Sequence, residues 1–175
     1  MHPMSFDQNL SIVVQNMMSE WGSCPVPELS VLLVQLKFLA LCHQTHHWTA
    51  KGDSFYGDHL LFERIYGAVV GEIDAVAEKA IGLGSTSNVD MTLQTAQLVR
   101  LVQGYGMTQT IPQPSELAKR SLGAEVNFIK TIDILICSMK EAGTMTQGLE
   151  NMLQGIADVH EGHVYLLKQR CGTRA

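Results

Sequence analysis

Residues 55–83 read FYGDHLLFERIYGAVVGEIDAVAEKAIGL, and a Gly-Ser pair follows at 84–85. The apolar residues of this stretch recur at intervals of three and four, which is the period of an α-helix rather than of a strand. The spacing predicts one long helix over about 55–83 that ends at the glycine. A single apolar stripe runs along it and needs other helices to cover it: Phe62, Ile65, Val69, Ile73, Val76 and Ala80.

The rest of the chain shows the same period. Further helices are predicted over about 7–20, 27–48, 92–103, 115–142 and 146–170, and no segment has the sustained alternation of a strand. The connection after the second long helix is itself long and carries Gly104, Gly106, Pro112 and Pro114. Four long helices with one long crossover predict an all-α, ferritin-like four-helix bundle with a short extra helix in the crossover connection. We assign residues 1–26 to an N-terminal extension, 27–170 to the bundle and 171–175 to a C-terminal tail.

The composition narrows the class of protein. The chain has 175 residues, of which 46% are hydrophobic and 17% charged, and this balance excludes a disordered chain. The net charge is −5 and the first basic residue is Lys37, which excludes a basic nucleic-acid-binding arm at the N-terminus. No Cys-x-x-Cys pair, no leader and no apolar run of the roughly 18 residues that a membrane span needs is visible. We therefore expect a cytoplasmic protein with reduced thiols and no membrane contact.

Four potential metal ligands lie on another face of the predicted 55–83 helix. His59 and Glu63 are four residues apart, as are Asp74 and Glu78, so each pair presents both side chains on one face. The 11 residues from Glu63 to Asp74 return to within about 20° of that face but rise by roughly 16 Å, far more than a metal–ligand bond. Two copies of the helix packed antiparallel about a two-fold axis would bring the two pairs together in two equal sites. Gly67 and Gly71 on the same stripe would allow close approach.

The end of the preceding helix adds imidazoles. His43, His46 and His47 fall within five residues, and His47 continues the apolar stripe that begins at Leu29 and can reach the start of the next helix. Carboxylates with imidazole and without thiolate favour iron or manganese, although zinc also fits. A merely solvated charged face is the alternative interpretation of the 59–78 stripe. His160-Glu161-Gly162-His163 lacks the spacing of a zinc-protease motif, and we expect helix packing and surface there.

These residues resemble a known family. The run His47-Trp48-Thr49-Ala50-Lys51-Gly52, then His59 and Glu63, then Glu72-Ile73-Asp74-Ala75-Val76-Ala77-Glu78-Lys79, is similar to the Dps family, the mini-ferritins of bacteria and archaea. The resemblance implies a dodecamer built from two-fold dimers, with iron sites between subunits and no haem. His47, His59 and Glu63 would come from one chain and Asp74 and Glu78 from its neighbour. Trp48 matches the aromatic residue beside the site. The resemblance assigns no role to His43 and His46, of which we expect one to be exposed and one packed.

The resemblance implies a ferroxidase and iron store, which oxidises Fe(II) with hydrogen peroxide or oxygen, keeps ferric mineral and protects against oxidative stress. Glu63 departs from the commoner Asp. Few acidic residues lie near the start of the last helix, so the sequence does not predict where iron would enter the shell. The alternatives are a DNA-binding, chromosome-protecting shell and a shell with degenerate chemistry. DNA binding would depend on a small basic cluster near the C-terminus: Lys168, Arg170 and Arg174.

Overall fold

The computed structural model describes residues 6–105 and 113–172, and all of the regular elements among them are helices. The elements are α1 (Phe6–Glu20), α2 (Pro27–Thr49), α3 (Phe55–Leu83), a short 3-10 helix (Thr86–Val89), α4 (Met91–Gly104), α5 (Pro114–Ala142) and α6 (Gln147–Cys171). The prediction of an all-α bundle is confirmed, with helix ends within two residues of those expected. Gly106 and Pro112 of the crossover, and Arg174, lie outside the described residues.

The helix ends follow from local chemistry. Pro27 and Pro114 stand at the first positions of α2 and α5, where a missing backbone N–H costs nothing. Thr146 caps α6, since its hydroxyl accepts a hydrogen bond from the backbone N–H of Leu149 at 3.2 Å. Gly143 ends α5 with φ of +69°, a left-handed conformation that glycine adopts without a steric penalty.

The four long helices pack in two pairs. α2 lies against α3 and α5 against α6, while α2 also contacts α5 and α3 also contacts α6. Both members of each pair follow one another in the chain, so the long connection that holds α4 joins the pairs. This is the arrangement that a single long crossover requires.

Helix α2 lies at the centre of the molecule. Its residues 31–36 are all buried, because α3, α5, α4 and α1 cover it from different sides. Burial by the other helices explains why this run is the most apolar of the sequence. Among the helices that the structure describes, none combines the length and apolar character that crossing a membrane requires.

The segment before residue 27 is packed against the bundle. α1 lies on α2 and α5, and Val14, Met17 and Trp21 join the main core. Gln97 of α4 holds the end of α1, because its side-chain carbonyl accepts a hydrogen bond from the Trp21 indole at 3.1 Å and its amide donates to the Met17 carbonyl at 2.9 Å.

Candidate metal-binding sites

The end of α2 and the start of α3 bring His47 and His59 together. The two rings are stacked with centroids 3.7 Å apart. His47 Nδ1 donates a hydrogen bond to the backbone carbonyl of His59 at 2.8 Å, and His59 Nδ1 donates to that of His47 at 3.1 Å. The short turn over residues 50–54 lets the two helices make these reciprocal bonds.

The reciprocal bonds fix the tautomer of both rings. A carbonyl oxygen only accepts, so Nδ1 of each neutral imidazole carries the proton and Nε2 carries the lone pair. A backbone carbonyl bonded to Nδ1–H is the usual support of an imidazole that binds a metal through Nε2. His47 is 9% exposed and His59 half-buried, so this pair of imidazoles lies at the surface of the single chain.

The carboxylates of the predicted stripe are exposed. Glu63, Asp74 and Glu78 all face solvent on α3. Because α3 is one continuous helix, Asp74 remains about 16 Å along the axis from Glu63. The chain therefore brings His47 and His59 together but does not bring Asp74 and Glu78 to them. Trp48 beside His47 is 65% exposed.

Asp58, one residue before His59, is buried and forms a different kind of contact. The Arg170 guanidinium of α6 pairs with both of its oxygens, with Nη2 at 2.9 Å from Oδ2, and also donates to Ser54 at 2.9 Å. This hydrogen bonding with Asp58 is the main cause that raises the pKa of Arg170. The pair fastens the start of α3 to the end of α6.

The outer face of α3 has an unusual surface. A methyl group added at Gly67 or Gly71 would meet no atom within 4 Å. Large apolar side chains on this helix are nonetheless exposed: Phe55, Tyr56, Leu60, Val70, Ile81 and Leu83. The opposite stripe is buried as predicted, fully for Phe62, Ile65, Val69, Val76 and Ala80 and partly for Ile73.

A second group of titratable side chains lies inside the bundle. Glu125 of α5 is fully buried and accepts hydrogen bonds from His43 Nε2 of α2 at 2.8 Å and from His160 Nδ1 of α6. His160 Nε2 donates to Glu72 of α3 at 2.9 Å. His163 Nδ1 lies 3.4 Å from Glu125 Oε1 and has no hydrogen-bond partner. We call these five residues the internal cluster.

The internal cluster corrects two expectations. His160 and His163 are 0% and 5% exposed, so the expected surface position is wrong for both, although helix packing is right. His43 and His46 are both buried as well, rather than divided between core and surface. Ser121 Oγ lies between them, 3.1 Å from His43 Nδ1 and 2.7 Å from His46 Nδ1.

Burial and pairing act in opposite directions on these groups. Burial lowers the pKa of His160, but hydrogen bonds to Glu125 and Glu72 outweigh it and raise the pKa to about 9. Burial favours the neutral form of Glu125, but hydrogen bonds from His160 and His43, with His163 nearby, hold its pKa well below the ordinary value. His46 has no such carboxylate, and burial, with the nearby charges of His43 and Arg120, lowers its pKa to about 3.

One signal in the sequence could have revealed Glu125. Ser121, Glu125, Phe128 and Ile132 are spaced by four, three and four residues, so Glu125 falls on the apolar stripe of its helix. A carboxylate on such a stripe must be paired when buried. The i, i+3 spacing of His160 and His163 supplies partners on the facing helix.

Comparison with known proteins gives partial matches. No protein-family model matches the chain. It is 44% identical over 43 residues to an uncharacterized protein of Haemophilus influenzae, and 38% identical over 56 residues to a nutrient stress-induced DNA-binding protein of Synechococcus sp.. The matched stretches cover 25% and 32% of this chain and span 27% and 32% of those relatives' own lengths.

Proposed function

We propose that this chain is a Dps-type mini-ferritin that oxidises Fe(II), its substrate, at sites shared between two copies of α3. The observation that carries the proposal is the reciprocal bonding of His47 and His59, which gives both rings an Nε2 lone pair where the end of α2 meets the start of α3. The partial match to a nutrient stress-induced DNA-binding protein and the residues that resemble the Dps family support the same assignment.

In the proposed site each chain supplies one half. His47, His59 and Glu63 come from one copy, and Asp74 and Glu78 come from the other, which runs antiparallel to it. The unfilled space over Gly67 and Gly71 and the exposed apolar residues elsewhere on α3 suit a second copy of the helix against α3. A two-fold axis between the helices repeats the site, so each dimer has two.

The donor set suits oxidation of the substrate. Imidazole nitrogens bind Fe(II), and three carboxylates favour the higher charge of Fe(III). Two Fe(II) ions each give one electron to hydrogen peroxide, which takes up two protons and leaves as two water molecules. Oxygen is the other proposed oxidant. Trp48, exposed next to His47, would take up an oxidising equivalent beside the site.

Storage of ferric mineral would follow from assembly into a shell of twelve chains, which protects against oxidative stress by removing Fe(II) and peroxide together. The route of iron into the shell is a separate matter. Glu150 at the start of α6 is paired with Lys140 at 2.7 Å, which lessens its availability as a ligand in a pore.

The test compares Fe(II) oxidation, driven by peroxide or by air, in the native protein and in a His59→Ala, Glu78→Ala variant. We expect the variant to be slower by at least about tenfold, as for loss of metal ligands or their supports. Glu161→Ala, an exposed carboxylate on α6, serves as the matched control and should keep the native rate. Equal rates for the native protein and the double variant would contradict the proposal.

DNA binding is the second candidate, because the name of the Synechococcus relative includes it. The structure weakens its basic cluster, since Arg170 is paired with Asp58 and only Lys168 remains among the described residues of that cluster. The net charge of −5 also repels phosphates. Retardation of plasmid DNA in a gel at low salt would favour this candidate, and unchanged migration would exclude it.

A further inference from the structure

The internal cluster has the spacing of a metal site. One donor atom each from Glu125, His160 and His163 lie within 4.8 Å of one another. Two ligands of one tetrahedral ion, each with a bond of about 2.1 Å, are about 3.4 Å apart. His163 Nδ1 and Glu125 Oε1 are 3.4 Å apart, which is longer than an ordinary hydrogen bond and equal to that ligand separation.

His163 Nδ1 is an independent observation that points to a ligand. Among the described residues it is the buried side-chain nitrogen or oxygen atom that has no hydrogen-bond partner. A buried polar atom without a partner destabilises the fold, so native proteins rarely keep one that nothing satisfies. An ion bound between His163 and Glu125 would satisfy it.

The residues around Glu125, His160 and His163 are placed to orient the ligands of such an ion. Glu72 Oε2 accepts from His160 Nε2 at 2.9 Å, so the other nitrogen of His160 faces Glu125. His43 Nε2 donates to Glu125 Oε1 at 2.8 Å and orients that carboxylate. A carboxylate behind a ligating imidazole is the common arrangement around metals in proteins. The Glu72 side chain is 14% exposed, so the cluster reaches the surface at α3.

We propose that Glu125, His160 and His163 bind one divalent first-row transition-metal ion, of the class of Zn(II) or Fe(II), inside each chain. Two imidazoles and one carboxylate leave a coordination position open for water, as in both zinc and non-haem iron sites. Glu72 and His43 act as positioning residues. This internal site lies within one chain and does not depend on the proposed site between chains.

The other buried group of potential ligands is less suited. Cys42, His43 and His46 also lie close together, but His46 Nδ1 is bonded to Ser121 at 2.7 Å and lies 3.9 Å from the Cys42 sulfur. His46 Nδ1 thus has partners without an ion, whereas His163 Nδ1 has no hydrogen-bond partner. His46 is therefore the matched control for His163, since both are buried imidazoles inside the bundle.

The experiment uses the full chain carrying His59→Ala and Glu78→Ala, so that binding between chains does not obscure the internal site. Zn(II) is titrated into the metal-free protein by calorimetry, and Co(II) replaces it for a visible spectrum that reports coordination by nitrogen. We expect one Zn(II) per chain in this background. Adding His163→Gln should weaken binding at least about tenfold, and adding His46→Asn should leave it unchanged.

Circular dichroism and solution mass establish that each variant is folded. If the His163→Gln variant does not fold, Glu72→Gln takes its place. Glu72 is partly exposed, so this substitution should keep the fold while weakening Zn(II) binding about tenfold. No Zn(II) bound in the background variant would overturn the internal site. Equal affinity with and without the cluster substitution would overturn it too, as would loss of binding from His46→Asn alone. None of these results bears on Fe(II) oxidation between chains.

Discussion

At the scale of single residues, the imidazoles of this bundle differ in protonation because their neighbours differ. His160 faces two carboxylates, and His46 faces the Ser121 hydroxyl, the Phe62 ring and the positive charge of Arg120. Burial penalises the charged form of both, but only His160 has hydrogen-bonded carboxylates that outweigh the penalty. The hydrogen-bond partner of an imidazole, more than its depth of burial, therefore decides whether it is charged.

His46 gives a prediction about acid stability. Its pKa is about 3 in the folded chain and 6.5 in the unfolded chain, so the unfolded state binds more protons between these values. The contribution of His46 to the free energy of unfolding therefore falls as pH drops below 6.5, by about 2 kcal/mol at pH 5 relative to pH 7. His46→Asn keeps a polar group near Ser121 without a titrating ring, and this loss should disappear.

Urea unfolding of the metal-free protein at the two pH values measures the difference. Other titratable groups, including Glu125, His43 and Cys42, also contribute to the pH dependence of the free energy of unfolding. Their contributions are common to the variant and the native chain, so they cancel in the comparison. The same loss of stability on acidification in both proteins would show that His46 is not the group responsible.

At the scale of elements, the start of α3 is held from two sides. The His47 and His59 bonds tie it to the end of α2, and the buried Asp58 ties it to Arg170 near the end of α6. Both contacts lie within one turn of helix. They position the imidazoles within the single chain, which would lower the entropic cost of forming the proposed site between chains.

Removal of both Asp58 and Arg170 should cost less stability than the two single removals added together. Arg170→Ala leaves the Asp58 carboxylate buried without its cation, and we expect a loss of roughly 3 kcal/mol in the free energy of unfolding. Asp58→Ala in addition removes that charge, so the double variant should be more stable than the sum of the single losses. Urea titrations of the four proteins in a double-mutant cycle measure the coupling. Strictly additive losses would show that the ion pair contributes little.

The helices were predictable because the apolar period of α3, α5 and α6 is strong and glycine or proline marks most of their ends. The internal cluster was not, because its five residues come from four helices and only packing brings them together. The sequence around His160 and His163 would read the same whether these side chains faced solvent or Glu125. The positions of His47 and His59 beside one turn were predictable, but their fixed tautomer depends on carbonyl groups that no side-chain pattern shows.

At the scale of the whole molecule, the residues of the proposed site between chains lie at separate points along α3. The imidazoles lie near its start, and Asp74 and Glu78 lie in its second half. A helix pair that runs antiparallel is the simplest assembly that joins unlike halves, and it leaves no half unmatched. Gly67 and Gly71 lie between the two halves along α3, at the place where the axis would pass.

Mixed assembly tests this geometry directly. His59→Ala and Glu78→Ala should each be nearly inactive alone, because every two-fold site loses a ligand. In a mixed dimer one site loses both ligands and the other keeps all of them. Random mixing of equal amounts makes half of the dimers mixed, so Fe(II) oxidation should recover to about one quarter of the native rate. His59→Ala mixed with the double variant is the matched control, since no intact site can form. Recovery in the control, or none in the test mixture, would show that Asp74 and Glu78 do not act across the axis from His59.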